Sequence, residues 1–237
     1  MGISCIICAF NEAPRIGAVL AAVTMHPLVD EVIVVDDGSS DGTADAVKAF
    51  PSVRLISYAL NRGKSFAMAA GVAAAKSAML MLLDADLKGL TAYDVTALAE
   101  PVLSGRADIG ISLRGNSLGV YRLLGIDFVS GERVLRRELL SDVLAEMQVL
   151  PGFGIELFMN ERIIARRLSI AVVCWSEVAQ TRKAEKMDMC RGTLAELRML
   201  RDLARVKGPA AAIRQMFSMR MLRISGDTRT PVEERQR

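Results

Sequence analysis

The chain has 237 residues, 51% hydrophobic and 24% charged, enough for one large core or a core with an appendage. No apolar run reaches the roughly 18–20 residues of a membrane span, and a net charge of only +3 gives no sign of nucleic acid as a partner. The charge is uneven: residues 1–181 hold 16 Lys/Arg against 20 Asp/Glu, residues 182–237 hold 14 against 7, so a basic tail follows an acidic body and suits an anionic partner.

Met1-Gly2-Ile3-Ser4-Cys5 runs straight into a strand with no basic leader, so no signal peptide is expected, and Ile6 breaks the myristoylation pattern. Ile3 to Ala9 is near-continuously apolar and reads as a central strand. Cys5 and Cys8 on that strand point to opposite faces, and with Cys174 and Cys190 they read as buried, reduced thiols in a cytosolic setting. Asn11 or Glu12 caps a helix running to about Met25, with Pro14 in its first turn. Glu31 to Asp36 is a second strand, broken by the turn-rich Asp37-Gly38-Ser39-Ser40-Asp41-Gly42-Thr43 and followed by a helix to about Phe50. A third strand spans Val53 to Ser57, and an Ala-rich helix follows Asn61-Arg62-Gly63-Lys64.

Ala78 to Leu83 is a fourth apolar strand, and it ends in Asp84-Ala85-Asp86. The alternation of strands and helices predicts an α/β fold, a doubly wound, mostly parallel sheet flanked by helices. A helix from Thr91 to Leu103, capped by Thr91, and a short strand from Asp108 to Ser112 come next. Arg114 to Gly131 is glycine-rich and reads mainly as loop; a helix opens at Gly152-Phe153-Gly154-Ile155-Glu156 and runs to about Arg167; Ser169 to Trp175 is the last strand. Helical stretches near 193–207 and 210–224, split by Gly208-Pro209, make a C-terminal extension, and 225–237 reads as a disordered tail. The expected division is therefore 1–190, 191–224 and 225–237.

Parallel strands deliver their carboxyl ends to one sheet edge, where ligands of open α/β sheets bind. That edge gathers Ala9, Phe10, Asn11 and Glu12, then Asp36 and Asp37, then Asp84, Ala85 and Asp86. Two carboxylates one residue apart suit Mg²⁺ or Mn²⁺, which would hold a diphosphate. Asp36 or Asp37 can accept an imino proton from a nucleobase, Phe10 can cover its face, and Arg62 and Lys64 can reach a diphosphate. No G-x-G-x-x-G follows a strand and no G-x-x-x-x-G-K-[ST] is present, which argues against a Rossmann dehydrogenase or a P-loop NTPase.

The segments Ile6 to Glu12, Val34 to Thr43, Asn61 to Lys64 and Leu83 to Asp86 resemble, in order and spacing, the family 2 glycosyltransferases. The resemblance implies a GT-A fold, a UDP- or GDP-linked sugar donor, inversion at the anomeric carbon, base reading by Asp37, and metal and donor binding by Asp84 and Asp86. Ser130 to Glu138, followed by Gly152 to Glu156, is similar to acceptor-side motifs of polyprenyl-phosphate sugar transferases and of small stand-alone bacterial relatives.

Three departures accompany it. Glu132 stands where the lipid-phosphate enzymes usually have an aromatic. Gln180 matches the position of a late metal-binding histidine, and it can still offer a carbonyl oxygen to a hard cation. Gly154 stands where an Asp base is common, so Glu132 or Glu156 takes the base role or the acceptor needs none. Pairing of Glu132 with Arg136, and of Glu156 with Arg133, are the structural alternatives. The only histidine, His26, reads as structural, and Lys183 and Lys186 as a solvated basic face. The expected catalytic set is Asp86, Glu132, Arg133 and Glu156, with Arg62 or Arg133 on the leaving group. The donor contacts span Ala9 to Glu12, Asp36, Asp37, Asn61, Arg62, Lys64, Asp84 and Ala85, and the metal set is Asp84, Asp86 and Gln180. Within 210–224, Ile213, Phe217, Met221 and Ile224 share a helical face interspersed with arginines. That face either meets a membrane peripherally, on its cytoplasmic side, or packs on the body or on a second copy in a homodimer.

Overall fold

The computed structural model describes residues 2–151, 154–180 and 208–224. In chain order its elements are β1 (Ile3–Ala9), α1 (Ala13–Val23), β2 (Val29–Asp36), α2 (Thr43–Lys48), β3 (Val53–Ser57), α3 (Lys64–Ala74), β4 (Met79–Asp84), β5 (Leu87–Lys88) and α4 (Ala92–Leu103). Then come β6 (Ile109–Arg114), α5 (Gly119–Leu124), β7 (Arg133–Arg136), α6 (Leu144–Gln148), α7 (Gly154–Ala165), β8 (Ile170–Trp175), β9 (Ala179–Gln180) and α8 (Pro209–Met221). The expected helix at 193–207, the tail at 225–237, the 190/191 division, Gly152, Phe153, Lys183, Lys186 and Cys190 lie outside the described residues.

Seven strands form one sheet in the order β3-β2-β1-β4-β7-β6-β8. The β1–β2, β1–β4, β2–β3 and β6–β8 pairs are parallel, while β7 runs antiparallel to both β4 and β6. The sheet is thus mostly parallel, as expected, with one reversed strand wedged into it. Strands covered on both faces must be apolar on both, and alternation then splits them between two cores. Ile6, Ile33, Val35, Leu80 and Leu82 face Ala67, Met68 and Val72 of α3, with Met147 of α6 and Ile155 of α7 in the same cluster. Cys5, Ile7, Val34, Met81 and Leu83 face Ile16, Val19 and Leu20 of α1, with Val95 and Leu98 of α4.

The Thr91 cap is present as a full capping box with Asp94. His26 is structural: its Nε2 lies 3.0 Å from both Ala92 O and Thr96 Oγ1, and its Nδ1 accepts from Leu28 N. The described cysteines, Cys5, Cys8 and Cys174, are free thiols.

Three features differ from the sequence reading. The segment 114–131 is mainly loop, as read, but it also holds the short helix α5, and Arg114 belongs to β6. Helix α6 and the two-stranded β5–β9 pair were not foreseen, because elements this short carry no readable period. Helix α8 does pack on the body, but not through the apolar row expected to define it. Met219 and Gln215 are its buried residues among those described; Gln215 Nε2 donates to Leu157 O at 2.9 Å, and Asn160 Nδ2 donates to Gln215 Oε1 at 3.1 Å. The chain after it bridges to β8, where Ile170 N donates to Leu222 O and Ile224 N to Ile170 O, both at 2.9 Å.

Candidate functional site

The carboxyl ends of β1, β2, β4 and β6 meet at one edge, and the reversed β7 brings its first residue, Arg133, to the same edge opposite Leu82. The first layer of the site is a set of interlocked loops. Asn11 adopts a left-handed φ of 56°, and its Oδ1 accepts from Ser40 N at 2.9 Å. Its own N–H donates to Ser39 Oγ, and Glu12 N donates to Thr43 Oγ1 at 2.8 Å. Phe10 is left 46% exposed at the mouth, which leaves a ring face free to cover a base.

Asp36 and Asp37 are buried and occupied. Asp36 accepts from Ser39 N and Ser57 Oγ, while Asp37 accepts from Arg62 N at 2.9 Å and Gly63 N at 2.7 Å. Gly38 permits that approach: its φ is 76°, and a Cβ there would lie 2.6 Å from Asn61 N. In this arrangement Asp37 shapes the 61–63 loop with both oxygens, a structural task added to the base-reading one expected of it. Asn61 is exposed beside that loop, and the Arg62 guanidinium stacks 3.4 Å over the Phe66 ring.

The centre of the site is a lysine between two carboxylates. Lys64 Nζ lies 2.7 Å from Asp84 Oδ1 and 2.8 Å from Glu156 Oε1. It thereby joins the donor-side loop to the helix expected to face the acceptor. Burial pulls the Lys64 ammonium down, but the charges of Asp84 and Glu156 outweigh it and hold the group well above the usual lysine value. Burial likewise raises Asp84, and the charges of Lys64 and Arg114 more than offset it, keeping Asp84 below the ordinary carboxylate value. Gly131 makes room for this carboxylate, since a Cβ there would sit 2.7 Å from Asp84 Oδ1.

Asp86 is different: burial, and next the charge of Asp84, push it up to about 6. Gln180 reaches both, donating from Nε2 to Asp84 Oδ2 at 3.0 Å and hydrogen-bonding Asp86. The β5–β9 pair places it there, with Gln180 opposite Leu87, and Asn116 Nδ2 holds its backbone carbonyl at 2.7 Å. The Asp84, Asp86 and Gln180 trio expected from the sequence is therefore brought together. Two mutually repelling carboxylates and an amide oxygen form a hard-donor set that fits Mg²⁺ or Mn²⁺. Among the described residues no group of three His, Cys, Asp or Glu gathers into a metal site.

Glu156 is buried; Oε1 takes Lys64, while its other oxygen, Oε2, is buried without a hydrogen-bond partner. It does not pair with Arg133. Nor does Glu132 pair with Arg136: its Oε1 accepts from Arg114 Nη1 at 2.7 Å, and its Oε2 from Ser112 Oγ at 2.7 Å and Ser130 Oγ at 2.6 Å. Every Glu132 oxygen is thus spent on the fold, so Glu156 is the better placed of the two base candidates.

Arg133 requires a correction. It is fully buried, donating Nε to Ser130 O at 2.8 Å, Nη1 to Asn160 Oδ1 at 2.7 Å and Nη2 to Phe128 O at 2.9 Å. Burial pushes its guanidinium down to about 10. All three nitrogens are committed to the protein, because β7 lies between β4 and β6 and its first three residues are buried. Arg133 therefore does not reach the phosphates.

The residue that sequence reasoning missed is Arg114, the last of β6. Its guanidinium contacts Glu132, lies 3.5 Å from Asp127 Oδ2 and 3.9 Å from Asp84 Oδ2, and has a buried Nε with no partner. Burial lowers it, but the charges of Glu132, Asp127 and Asp84 raise it above the usual arginine value. The signal was available: an arginine before Gly115, at the end of a strand running with β1 and β4, falls at the ligand edge.

A mostly parallel α/β sheet with a D-x-D pair at the end of β4 and paired carboxylates at the end of β2 defines the GT-A class of nucleotide-sugar enzymes. Residues 4–119 match the model described as Glycosyl transferase family 2. The chain is 27% identical over 150 residues to a dolichyl-phosphate beta-glucosyltransferase of Trichomonas vaginalis, covering 52% of this chain and 44% of that protein. It is 31% identical over 129 residues to the undecaprenyl-phosphate 4-deoxy-4-formamido-L-arabinose transferase of Aeromonas hydrophila, covering 51% and 39%. The chain thus spans less than half the length of these curated relatives. Among solved structures, glucosyl-3-phosphoglycerate synthase of Mycobacterium tuberculosis, in complex with Mn²⁺, UDP and glucosyl-3-phosphoglycerate, superposes with a TM-score of 0.67 at 25% identity. That match covers 88% of this chain and 81% of the other.

Proposed function

We propose that the chain is an inverting glycosyltransferase that moves a sugar from a nucleotide-diphosphate sugar to a phosphate-bearing acceptor, with Mg²⁺ or Mn²⁺ at Asp84 and Asp86. The observation that carries this reading is the Asp84–Lys64–Glu156 chain, which ties a metal-and-donor carboxylate to an acceptor-side carboxylate through one ammonium. The relatives' names support the acceptor class: dolichyl phosphate, undecaprenyl phosphate and phosphoglycerate all carry a phosphate.

Phe10 and the Asp36–Asp37 turn receive the base, and Asp84, Asp86 and the Gln180 carbonyl oxygen hold the ion. When bound, the divalent ion offsets negative charge on the leaving diphosphate. Lys64 turns towards that diphosphate and adds a second positive charge. Its departure from Glu156 frees a buried carboxylate whose Oε2 is already open, and Glu156 takes the proton of a hydroxyl acceptor or orients an ionised one. Attack from the face opposite the diphosphate inverts the anomeric carbon. Arg114, with its spare Nε, steadies an anionic acceptor at the same edge.

The test is transfer from radiolabelled UDP- and GDP-sugars, with Mn²⁺ and a lipid extract or phosphoglycerate as acceptor. The parent is expected to turn over and Asp86→Ala to lose transfer while unfolding at no lower temperature than the parent; full activity in Asp86→Ala would overturn the metal assignment. The bare two-carboxylate metal set also favours a second reading, a nucleotide-sugar-binding module without turnover, which predicts donor-induced stabilisation but no transfer to any acceptor.

A further inference from the structure

Helix α8 has two apolar faces, and the body uses only one. At 3.6 residues per turn, the docked residues Gln215, Met219 and Leu222 cluster roughly opposite Ile213, Phe217 and Met221. Those three are 53%, 53% and 83% exposed. The same geometry puts Arg220 within about 20° of Ile213, and Arg214 within about 20° of Met221. Both arginines are exposed, and residues 208–224 contain no acidic residue. On the docked side Glu161 of α7 lines a cleft with Arg214, while Arg220 has no acid on its own helix.

A second patch adjoins the first. Arg223, just past α8, donates from Nη1 to Leu124 O, the last residue of α5, at 3.2 Å. Gly125 admits it, because a Cβ there would lie 2.2 Å from that nitrogen. Helix α5 exposes Val120 and Leu123, the latter 84%, together with Arg122, and residues 115–126 again lack any acid. Two separate elements, joined at their carboxyl ends, thus expose apolar side chains beside arginines, with no acid within either element.

We propose that the exposed faces of α8 and α5 form a docking surface for an anionic lipid bilayer. Apolar side chains enter the headgroup boundary while arginine stems keep their charges beside anionic headgroups. A second copy of this chain is the poorer occupant. An isologous contact centred on Phe217 would set Arg214 of one copy against Arg220 of the other, with no acid on either helix to separate them. Because α5 follows Arg114 at the end of β6, docking there holds the site edge near the membrane. That names a lipid-linked phosphate as the acceptor, and so rests on the reading above, whereas the binding itself does not.

The experiment is co-sedimentation of the full chain with vesicles of phosphatidylcholine alone or mixed with phosphatidylglycerol, at low and high salt and without nucleotide sugar, so that a failure here is distinct from a failure of transfer. We expect binding to the anionic vesicles at low salt, weakened by salt, and at least about tenfold weaker in Phe217→Glu/Met221→Glu. Both side chains are exposed, so the double variant should unfold at the parent's temperature; if it does not, Arg220→Glu is read in its place. Absence of binding by the parent overturns the proposal, as does equal binding by parent and variant. So does a parent that sediments as a dimer while the variant is a monomer and neither binds vesicles, which would assign the face to a second copy.

Discussion

Arg133→Met separates a residue of the fold from a residue of the chemistry. Methionine keeps an unbranched apolar stem and removes the guanidinium. Three hydrogen bonds disappear, to Ser130 O, Asn160 Oδ1 and Phe128 O. Phe128 O retains a second donor, Asn160 Nδ2, at 2.7 Å. Two buried acceptors are then left without the donor shown for them, at about 1–3 kcal/mol each. Part of this is offset, because a buried guanidinium no longer has to be desolvated. The expected loss is about 2–4 kcal/mol, read as a lower urea midpoint at constant slope. At temperatures where the variant is folded, the kcat and donor KM of the proposed transfer should stay within about twofold of the parent. Arg133→Lys should also destabilise, since one ammonium cannot satisfy three acceptors spread around a planar fork. Unchanged stability with a collapse in kcat would refute the reasoning and return Arg133 to the phosphates.

Three further outcomes follow from the site. Asp86→Asn should stabilise the metal-free chain at pH 7.5 by on the order of 1–2 kcal/mol, discounted for partial solvent screening, and should abolish metal-dependent transfer. The sign follows from a pKa raised to about 6 from an ordinary 3.8: the ionised form opposes folding, so the gain is present above pH 6 and vanishes towards pH 4, as paired urea titrations would show. Lys64→Met should cost about 2 kcal/mol, less than a fully buried ion pair because Lys64 is partly exposed, and Mn²⁺ should raise its melting temperature more than the parent's; equal shifts would show that Lys64 does not compete for Asp84. Native Cys8 should resist iodoacetamide at pH 8.5, because burial pushes its thiol up to about 12, and mass spectrometry of the labelled peptide would read this directly.

What could be read from sequence and what could not divide along physical lines. The strands β1, β2 and β4 were legible because their apolar runs, covered on both faces, have no polar alternation to blur them, and Asp37-Gly38 punctuates the end of β2. The Asp84, Asp86 and Gln180 grouping was legible through strand-end placement and a resemblance in spacing. Lys64 was located but its partners were not, since contacts with Asp84 and Glu156 are 20 and 92 residues away in sequence. Arg114 was missed because the strand from Asp108 was ended two residues early. Arg133 was misassigned for a different reason: a preceding glycine suggested an open turn, whereas antiparallel insertion between β4 and β6 buries the strand that follows. In α8 the period was read correctly, but periodicity cannot tell which of two apolar faces meets the body.

The charges at the sheet edge constrain how such a site can work. Asp84, Asp86, Asp127, Glu132 and Glu156 converge there; among the described residues Lys64 is shared between Asp84 and Glu156, and Arg114 between Glu132 and Asp127. Both of these cations are therefore already engaged when an anionic acceptor enters. A cation held by Asp84 and Asp86 would change this in two ways. It would neutralise the pair, and with Asp84 engaged the Lys64 ammonium would become available to the donor's diphosphate. Glu156 then loses its counterion at the moment the donor is in place. On the proposed reading this makes donor binding precede acceptor binding, without any moving lid, because one lysine cannot serve Asp84, Glu156 and a diphosphate at once. Product inhibition distinguishes the orders: the nucleoside diphosphate should be competitive against the donor and noncompetitive against the acceptor. Competition against both would mean that the two substrates enter independently, and that the Lys64 bridge does not couple them.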